Sequence, residues 1–272
     1  MSRIACPPVS VGKFFALVLG LSIPFYILGA LGPDLTKLLP IQLPISALVF
    51  VCPALAALWL TREAPGQVGV RALLGRMFDL QRLHDKRWLL PTFLSMPAVM
   101  SFAYIVQKLL GQTLPAFKLS PVIIFVYFAV FFIGAIGEEL GWIGYSMQPL
   151  QQRYGALIAG LLLGTFWALW HIIPWVQTHH SAEWVLWQCA GTVALRVLMV
   201  WIYNGAEHNL FTSIAFHTMT NVSEFAFPNS GSYYDSRVTG LILIGAALFV
   251  VWRWRARLRE PATADLSMET RP

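Results

Sequence analysis

Long apolar runs separated by short polar segments make up most of the sequence. Eight of these runs are close to the ~20 residues that an α-helix needs to cross the hydrocarbon core of a bilayer. They cover residues 13–32, 42–61, 88–109, 120–145, 155–176, 184–203, 209–225 and 237–254. The pattern predicts an all-α, polytopic integral membrane protein whose eight transmembrane helices form one bundle around an internal cavity, as a single membrane domain over residues 1–272.

Composition argues against an ordinary soluble domain, because 57% of the residues are hydrophobic and only 12% are charged. The net charge of +6 does not indicate nucleic-acid binding, since the basic residues lie in short segments between apolar runs, where they set membrane orientation. The most basic internal segment lies between the second and third runs and is predicted to be cytoplasmic. Alternation then places both termini in the cytoplasm, and the lack of a cleavable leader favours a bacterial inner (plasma) membrane.

Three further features lie outside or between the apolar runs. Residues 64–84 space apolar positions at helical intervals among arginines, which is typical of an interfacial amphipathic helix; the alternative is a solvated loop. The polar tail, residues 260–272, is predicted to be disordered. The three cysteines are scattered without paired spacing, so neither a disulfide framework nor a thiolate metal site is expected.

Two adjacent acids, Glu138 and Glu139, interrupt the fourth apolar run. A charged side chain deep in a membrane helix costs roughly 2.5–3.5 kcal/mol on insertion scales, so such residues usually face a bundle interior. Helical neighbours point about 100° apart, so the two carboxylates need not serve the same role. Their mutual repulsion in a low dielectric suits general acid/base chemistry. The alternative is an acidic pair at the membrane surface.

Three more polar residues lie in later apolar runs. His171 is in the fifth run, and His217 and Asn221 are four residues apart in the seventh, on one helical face. An imidazole and a carboxamide at this spacing can aim N–H donors at one point, as stabilising an oxyanion requires; ordinary interhelical hydrogen bonding is the alternative. The remaining histidines are expected to be solvated: His84, His179, His180 and His208.

Three chemistries fit these five residues. In the first, a glutamate with His171 activates water for attack on a peptide carbonyl, and His217 with Asn221 holds the oxyanion. In the second, Glu138 or Glu139 with the two histidines binds zinc, although the sequence has no H-E-x-x-H motif. In the third, the same residues relay protons in a transporter. Residue types alone leave all three open.

The order and spacing of these residues form three motifs: E-E-L-G-W-I-G-Y at 138–145, W-A-L-W-H at 167–171 and H-T-M-T-N at 217–221. Together they resemble the CAAX prenyl endopeptidase family, the CPBP intramembrane proteases, which include bacterial bacteriocin-processing and immunity proteins. The family pattern is E-E-x-x-x-R, then F-x-x-x-H, then H-x-x-x-N or D, on an eight-helix core. The resemblance covers residues 120–225, which form the expected catalytic core.

The resemblance implies a role for each motif residue. Glu138 would be the general base that works with His171 on the attacking water, and Glu139 would support the site. His217 and Asn221 would form the oxyanion hole. No cofactor is expected; zinc, held by Glu138, His171 and His217, is the alternative. The implied partner is a peptide or protein substrate reached through the lipid bilayer, lipidated or not, and no nucleic acid is expected.

The sequence departs from the family pattern at two positions. Ile143 occupies the arginine position of the first motif, which removes a fixed positive charge beside the two carboxylates and loosens their geometry. Arg196, in the sixth run, can replace that charge if its guanidinium reaches the site. Otherwise the expectation becomes a catalytically degenerate membrane scaffold or immunity protein. Trp167 occupies the phenylalanine position of the second motif, a conservative aromatic exchange.

Overall fold

The computed structural model describes residues 10–31, 45–63, 69–116, 120–228 and 230–259. Its helices are α1 (Val11–Leu31), α2 (Val51–Glu63), α3 (Val70–Gly75), α4 (Leu89–Leu109), α5 (Pro121–Glu139), α6 (Gln148–Gln177), α7 (Ala182–Gly205), α8 (Leu210–Ala226) and α9 (Ser236–Arg259). Short 3₁₀ turns precede α2 and connect α3 to α4, and a π-helical segment, Leu140–Met147, joins α5 to α6. No strand occurs in the described ranges, so the all-α prediction is confirmed.

Six helical stretches in the described residues are long and apolar enough to cross a membrane, which confirms a polytopic membrane protein. One of them, Pro121–Gln177, is 57 residues long and contains two of the predicted runs. Gly155 divides these two runs with a φ of 76°, a conformation that glycine adopts without a steric penalty. With 17 residues, α8 is shorter than the ~20 residues of a full crossing.

The bundle is apolar on its outer surface, as lipid contact requires. Large hydrophobic side chains are exposed there on several helices, among them Leu94, Phe125, Leu161, Leu186 and Leu248. In the interior, α5 and α4 pack against α8, and α7 packs between α6 and α9. Helix α8 buries most of its side chains and α7 buries half of them, including polar ones, so buried polar groups lie at the centre of the bundle.

Two glycines bring the end of α5 against the backbone near the start of α2. A Cβ atom placed on Gly137 would lie 2.7 Å from the carbonyl oxygen of Phe50, and one on Gly141 would lie 2.5 Å from that of Pro53. Real Cβ atoms do not approach other atoms so closely, so only glycine permits this contact. Because these glycines flank Glu138 and Glu139, the contact fixes the depth and rotation of the acidic pair.

The segment from residue 69 to residue 88 docks on one end of the bundle, which we call the basic end. Arg76 Nη1 donates a hydrogen bond to the carbonyl oxygen of Gly144 at 2.9 Å, and its Nη2 donates to Tyr203 Oη at 3.1 Å. Asn209 Nδ2 donates to the carbonyl oxygen of Asp79 at 2.7 Å. Of the amphipathic helix predicted over residues 64–84, the described residues form only the short α3, which is followed by 3₁₀ turns. Residues 64–68 and the tail 260–272 lie outside the described residues.

Candidate active site

Glu139 is the centre of a buried network of charged groups. Its Oε2 accepts a hydrogen bond from Arg196 Nη1 at 2.7 Å, and its Oε1 lies 2.8 Å from His217 Nδ1. Glu139 and Arg196 are both 0% exposed, and His217 is 3% exposed. The C-terminal turn of α5 therefore meets the middle of α7 and of α8 through one carboxylate, which ties the three helices together.

Glu138 faces a different set of donors, as the 100° offset between helical neighbours predicts. Its Oε2 accepts one hydrogen bond from Trp167 Nε1 at 2.7 Å and a longer one from Trp142 Nε1 at 3.3 Å. Both donors are neutral indole N–H groups. The other oxygen, Oε1, makes no hydrogen bond with a described residue, so Glu138 is held by one oxygen and leaves a lone-pair-bearing oxygen for chemistry.

The two histidines each use Nδ1 for a structural contact. His171 Nδ1 lies 2.9 Å from the carbonyl oxygen of Trp167, which can only accept, so this nitrogen carries a proton. His217 Nδ1 likewise donates to the carboxylate of Glu139. In the neutral form of each ring, Nε2 is therefore the basic nitrogen. Each histidine thus keeps one nitrogen that can accept a proton or bind a metal ion.

Trp167 contacts four residues of a buried polar cluster, whose fifth member is Glu139: Glu138, His171, His217 and Arg196. Its ring centroid lies 4.0 Å from Arg196 Cζ, and its ring meets those of His217 and His171 edge to face at 5.1 and 5.4 Å between centroids. The same indole donates to Glu138. A phenylalanine would keep the ring contacts and lose this hydrogen bond, so the exchange is not conservative. The only sequence signal for this role is the tryptophan at the phenylalanine position of the motif W-A-L-W-H.

Arg196 reaches the site, and Ile143 does not contribute to it. Ile143 is 0% exposed and belongs to the apolar core of the bundle, whereas Arg196 pairs directly with Glu139. The guanidinium that the family pattern places on the first motif helix is absent there, and α7 supplies one instead. The guanidinium of Arg196 therefore reaches the site and can replace the missing positive charge.

Asn221 and the zinc ligands are less closely tied to this network. Asn221 is half-buried one turn beyond His217, and no hydrogen bond to a described residue joins it to the cluster. Within the described ranges, no group of three or more His, Cys, Asp or Glu side chains is arranged to hold a metal ion. The donors named for zinc, Glu138, His171 and His217, are therefore not preassembled as a metal site. The four remaining histidines are exposed, as predicted.

Two open recesses lie at the end of the bundle opposite the basic end. Their volumes are about 440 and 420 Å³, and their walls come chiefly from the last turn of α4 and the first turns of α7 and α9. Neither recess is lined by a member of the polar cluster. Glu138, Glu139 and His217 are buried among their helices, away from both recesses.

Comparison with known proteins agrees with the motifs. Residues 120–223, which contain all members of the cluster, match the family described as type II CAAX prenyl endopeptidase Rce1-like. CAAX prenyl protease 2 of Methanococcus maripaludis is 24% identical to this chain over 201 residues, which cover 66% of this chain and 70% of that protein. Both matches confirm the resemblance of the motifs to the CAAX prenyl endopeptidase family, the CPBP intramembrane proteases.

Proposed function

We propose that this chain is an intramembrane endopeptidase that hydrolyses a peptide bond of a membrane-associated peptide or protein. The observation that carries the proposal is the state of Glu138, which two indole N–H groups hold through one oxygen while the other oxygen stays free. A buried carboxylate with a fixed orientation and a free lone pair is suited to take a proton from water. The family match supports peptide hydrolysis as the reaction.

In this mechanism, Glu138 Oε1 and the basic Nε2 of His171 orient one water molecule and remove its proton. The water oxygen bonds to the scissile carbonyl carbon, and the carbonyl electrons move to its oxygen. The tetrahedral intermediate then collapses, its C–N bond breaks, and the proton passes from Glu138 to the leaving amine. Glu139 acts through His217, whose ring it orients by accepting the Nδ1 proton. His217 and Asn221 face the oxyanion from one side of α8.

The proposal extends to location and partners. The basic end carries Arg76, and the positive-inside tendency supports a cytoplasmic position for that end and for both termini, in a plasma membrane. The substrate is a peptide or protein that enters through the bilayer, lipidated or not, and no nucleic acid takes part. No step requires a metal ion. Zinc bound by Glu138, His171 and His217 is the alternative, and it would need these side chains to move together.

The test compares protein termini by mass spectrometry in membranes of cells that carry either the native chain or Glu138→Gln at matched expression. We expect new termini only with the native chain, because glutamine keeps the shape of Glu138 and cannot accept the proton. The mass of each cleaved segment also shows whether it carries a lipid. Equal termini with both chains, together with equal rescue of a deletion phenotype, would instead favour the non-catalytic scaffold, to which the buried Ile143 points.

Metal removal separates the two hydrolytic mechanisms. Incubation of the purified protein with 1,10-phenanthroline is expected to leave cleavage of the identified substrate within about twofold of the untreated rate, because water is activated by Glu138 and His171 alone. A zinc peptidase treated in parallel controls for the chelator. Loss of activity that added zinc restores would move the three zinc donors into the mechanism.

A further inference from the structure

Arg196 has two donor groups that nothing in its surroundings uses. Its side chain is 0% exposed, and its Nη1 is occupied by Glu139 at 2.7 Å and by Met199 Sδ at 3.0 Å. In contrast, Nε and Nη2 have no hydrogen-bond partner among the described residues. Burying charged donors without acceptors is costly. Nε and Nη2 form the edge of the guanidinium that binds oxygen ligands through two parallel hydrogen bonds. This edge therefore points to a ligand oxygen.

The free edge belongs to the same small site as the proposed base. The guanidinium lies over the ring of Trp167, with Cζ at 4.0 Å from the centroid. The N–H of that same indole binds Glu138 Oε2 at 2.7 Å. Arg196 and Glu138 thus contact one rigid ring system, which places the guanidinium and the proposed base in the same site.

The charges already present in the site determine which kind of oxygen ligand can bind to Arg196. The cluster already holds two carboxylates, Glu138 and Glu139, against one guanidinium. A carboxylate ligand would add a third negative charge in a medium of low dielectric, where like charges repel strongly. A peptide carbonyl is neutral when it binds and becomes negative only as water attacks. A positive donor fixed beforehand stabilises that charge at the moment it forms.

Arg196 is also a more dependable donor than the other candidates. His217 can donate from Nε2 only as an imidazolium cation, because its Nδ1 proton is directed to Glu139. Asn221 is neutral and is not connected to the cluster by a hydrogen bond to a described residue. A guanidinium donates at any working pH, because it does not lose its proton in proteins.

We propose that Nε and Nη2 of Arg196 donate hydrogen bonds to the scissile carbonyl oxygen and stabilise the oxyanion of the tetrahedral intermediate. Arg196 is then a catalytic residue in addition to holding Glu139 through Nη1. The assignment rests on the proposed peptidase function and adds Arg196 to His217 and Asn221 as a donor to the oxyanion. It also explains why Nε and Nη2 are buried without a partner, which the ion pair through Nη1 does not.

Arg196→Lys separates the two roles, because lysine keeps the charge and the pairing with Glu139 but loses the two-donor edge. The probe is a quenched fluorescent peptide that spans the cleavage site found by the comparison of termini, with detergent-purified full-length protein. We expect kcat to fall by about 10²–10³, as when an oxyanion donor is removed, with KM changed less than threefold. A kcat within tenfold of the native value, with an unchanged unfolding midpoint, would reduce Arg196 to a structural partner of Glu139.

A second measurement is independent of how well the variant folds. The same peptide is made with sulfur in place of the scissile carbonyl oxygen, and the ratio of oxygen to sulfur rates is taken on each preparation. Sulfur is a poorer hydrogen-bond acceptor, so the ratio is expected to be at least tenfold larger for the native protein than for Arg196→Lys. Equal ratios would overturn the proposal. Retained cleavage by Glu138→Gln would instead overturn the proposed peptidase mechanism itself, so the two failures are distinguishable.

Discussion

Replacing Glu139 with alanine is expected to destabilise the folded protein by about 3–5 kcal/mol. The substitution leaves the guanidinium of Arg196, which is 0% exposed, without its counter-charge, and a buried charge that loses its partner is strongly destabilising. It also removes the acceptor of the His217 Nδ1 proton at 2.8 Å. The effect is readable as a lower unfolding midpoint in mixed detergent micelles.

Glu138→Gln is the matched control for this prediction. It changes the adjacent residue, but its partners Trp142 and Trp167 are neutral donors that can bind an amide oxygen as well as a carboxylate, so its unfolding midpoint should stay close to native. The double variant Glu139→Ala with Arg196→Met carries no uncompensated charge. We expect it to be more stable than the sum of the two single losses implies; strict additivity would show that the ion pair does not couple α5 to α7.

The second large effect is expected at Gly141, where alanine should both destabilise the protein and abolish cleavage. The added Cβ atom would lie 2.5 Å from the carbonyl oxygen of Pro53 and 2.6 Å from its carbonyl carbon and its Cβ. Backbone cannot rotate away as a side chain does, so the π-helical segment must move. Overpacking of this kind costs typically 1–3 kcal/mol, and the displacement would carry Glu138 and Glu139 with it.

Gly134→Ala tests whether the close contact is the cause. Gly134 is in α5, about two turns before Gly141, and nothing lies within 4 Å of a Cβ atom built on it. Alanine there should be neutral or should stabilise the helix by up to about 1 kcal/mol. Parallel measurements of the unfolding midpoint and of peptide cleavage are sufficient. Equal responses of Gly134→Ala and Gly141→Ala would contradict the packing of the π-helical segment on the backbone near the start of α2.

The sequence predicted the helices and the residues that come together, but not how they pair. The lengths of the apolar runs located the spans, because bilayer thickness restricts the length of a crossing helix. Charged residues inside the spans located the cluster. The rotation of α5 against α6 and α7 decides that Glu139 pairs with Arg196 and that Glu138 faces indole N–H groups. Rotation is set by contacts such as that of Gly141 with Pro53, which no periodicity reveals.

Aromatic residues and the basic segment show the other limit of sequence patterns. An indole in an apolar run is interpreted as packing, because its single N–H group is a small part of a large ring; the hydrogen bond from Trp167 becomes visible only when Glu138 is in place. In the segment from residue 69 to residue 88, the helical periodicity of the sequence corresponds to an α-helix only over the short α3. Arg76 turns inward to Gly144 and Tyr203, and such long-range bonds override a local preference.

The π-helical segment between Glu139 and Gln148 makes one part of this protein tolerant of the loss of one residue. A π-helical turn holds an extra residue relative to an α-helical turn. Deleting one residue between 140 and 147 can therefore be absorbed by rewinding to an α-helix, without breaking the connection from α5 to α6. Because the π-helical turn gives up its extra residue, the side chains of α6 would keep their orientation, and the Trp167 indole would stay against Glu138. In this segment, a single-codon deletion is absorbed as a change of helix type, whereas the same deletion in the regular part of α5 would turn the later side chains by about 100° and separate the two halves of the site.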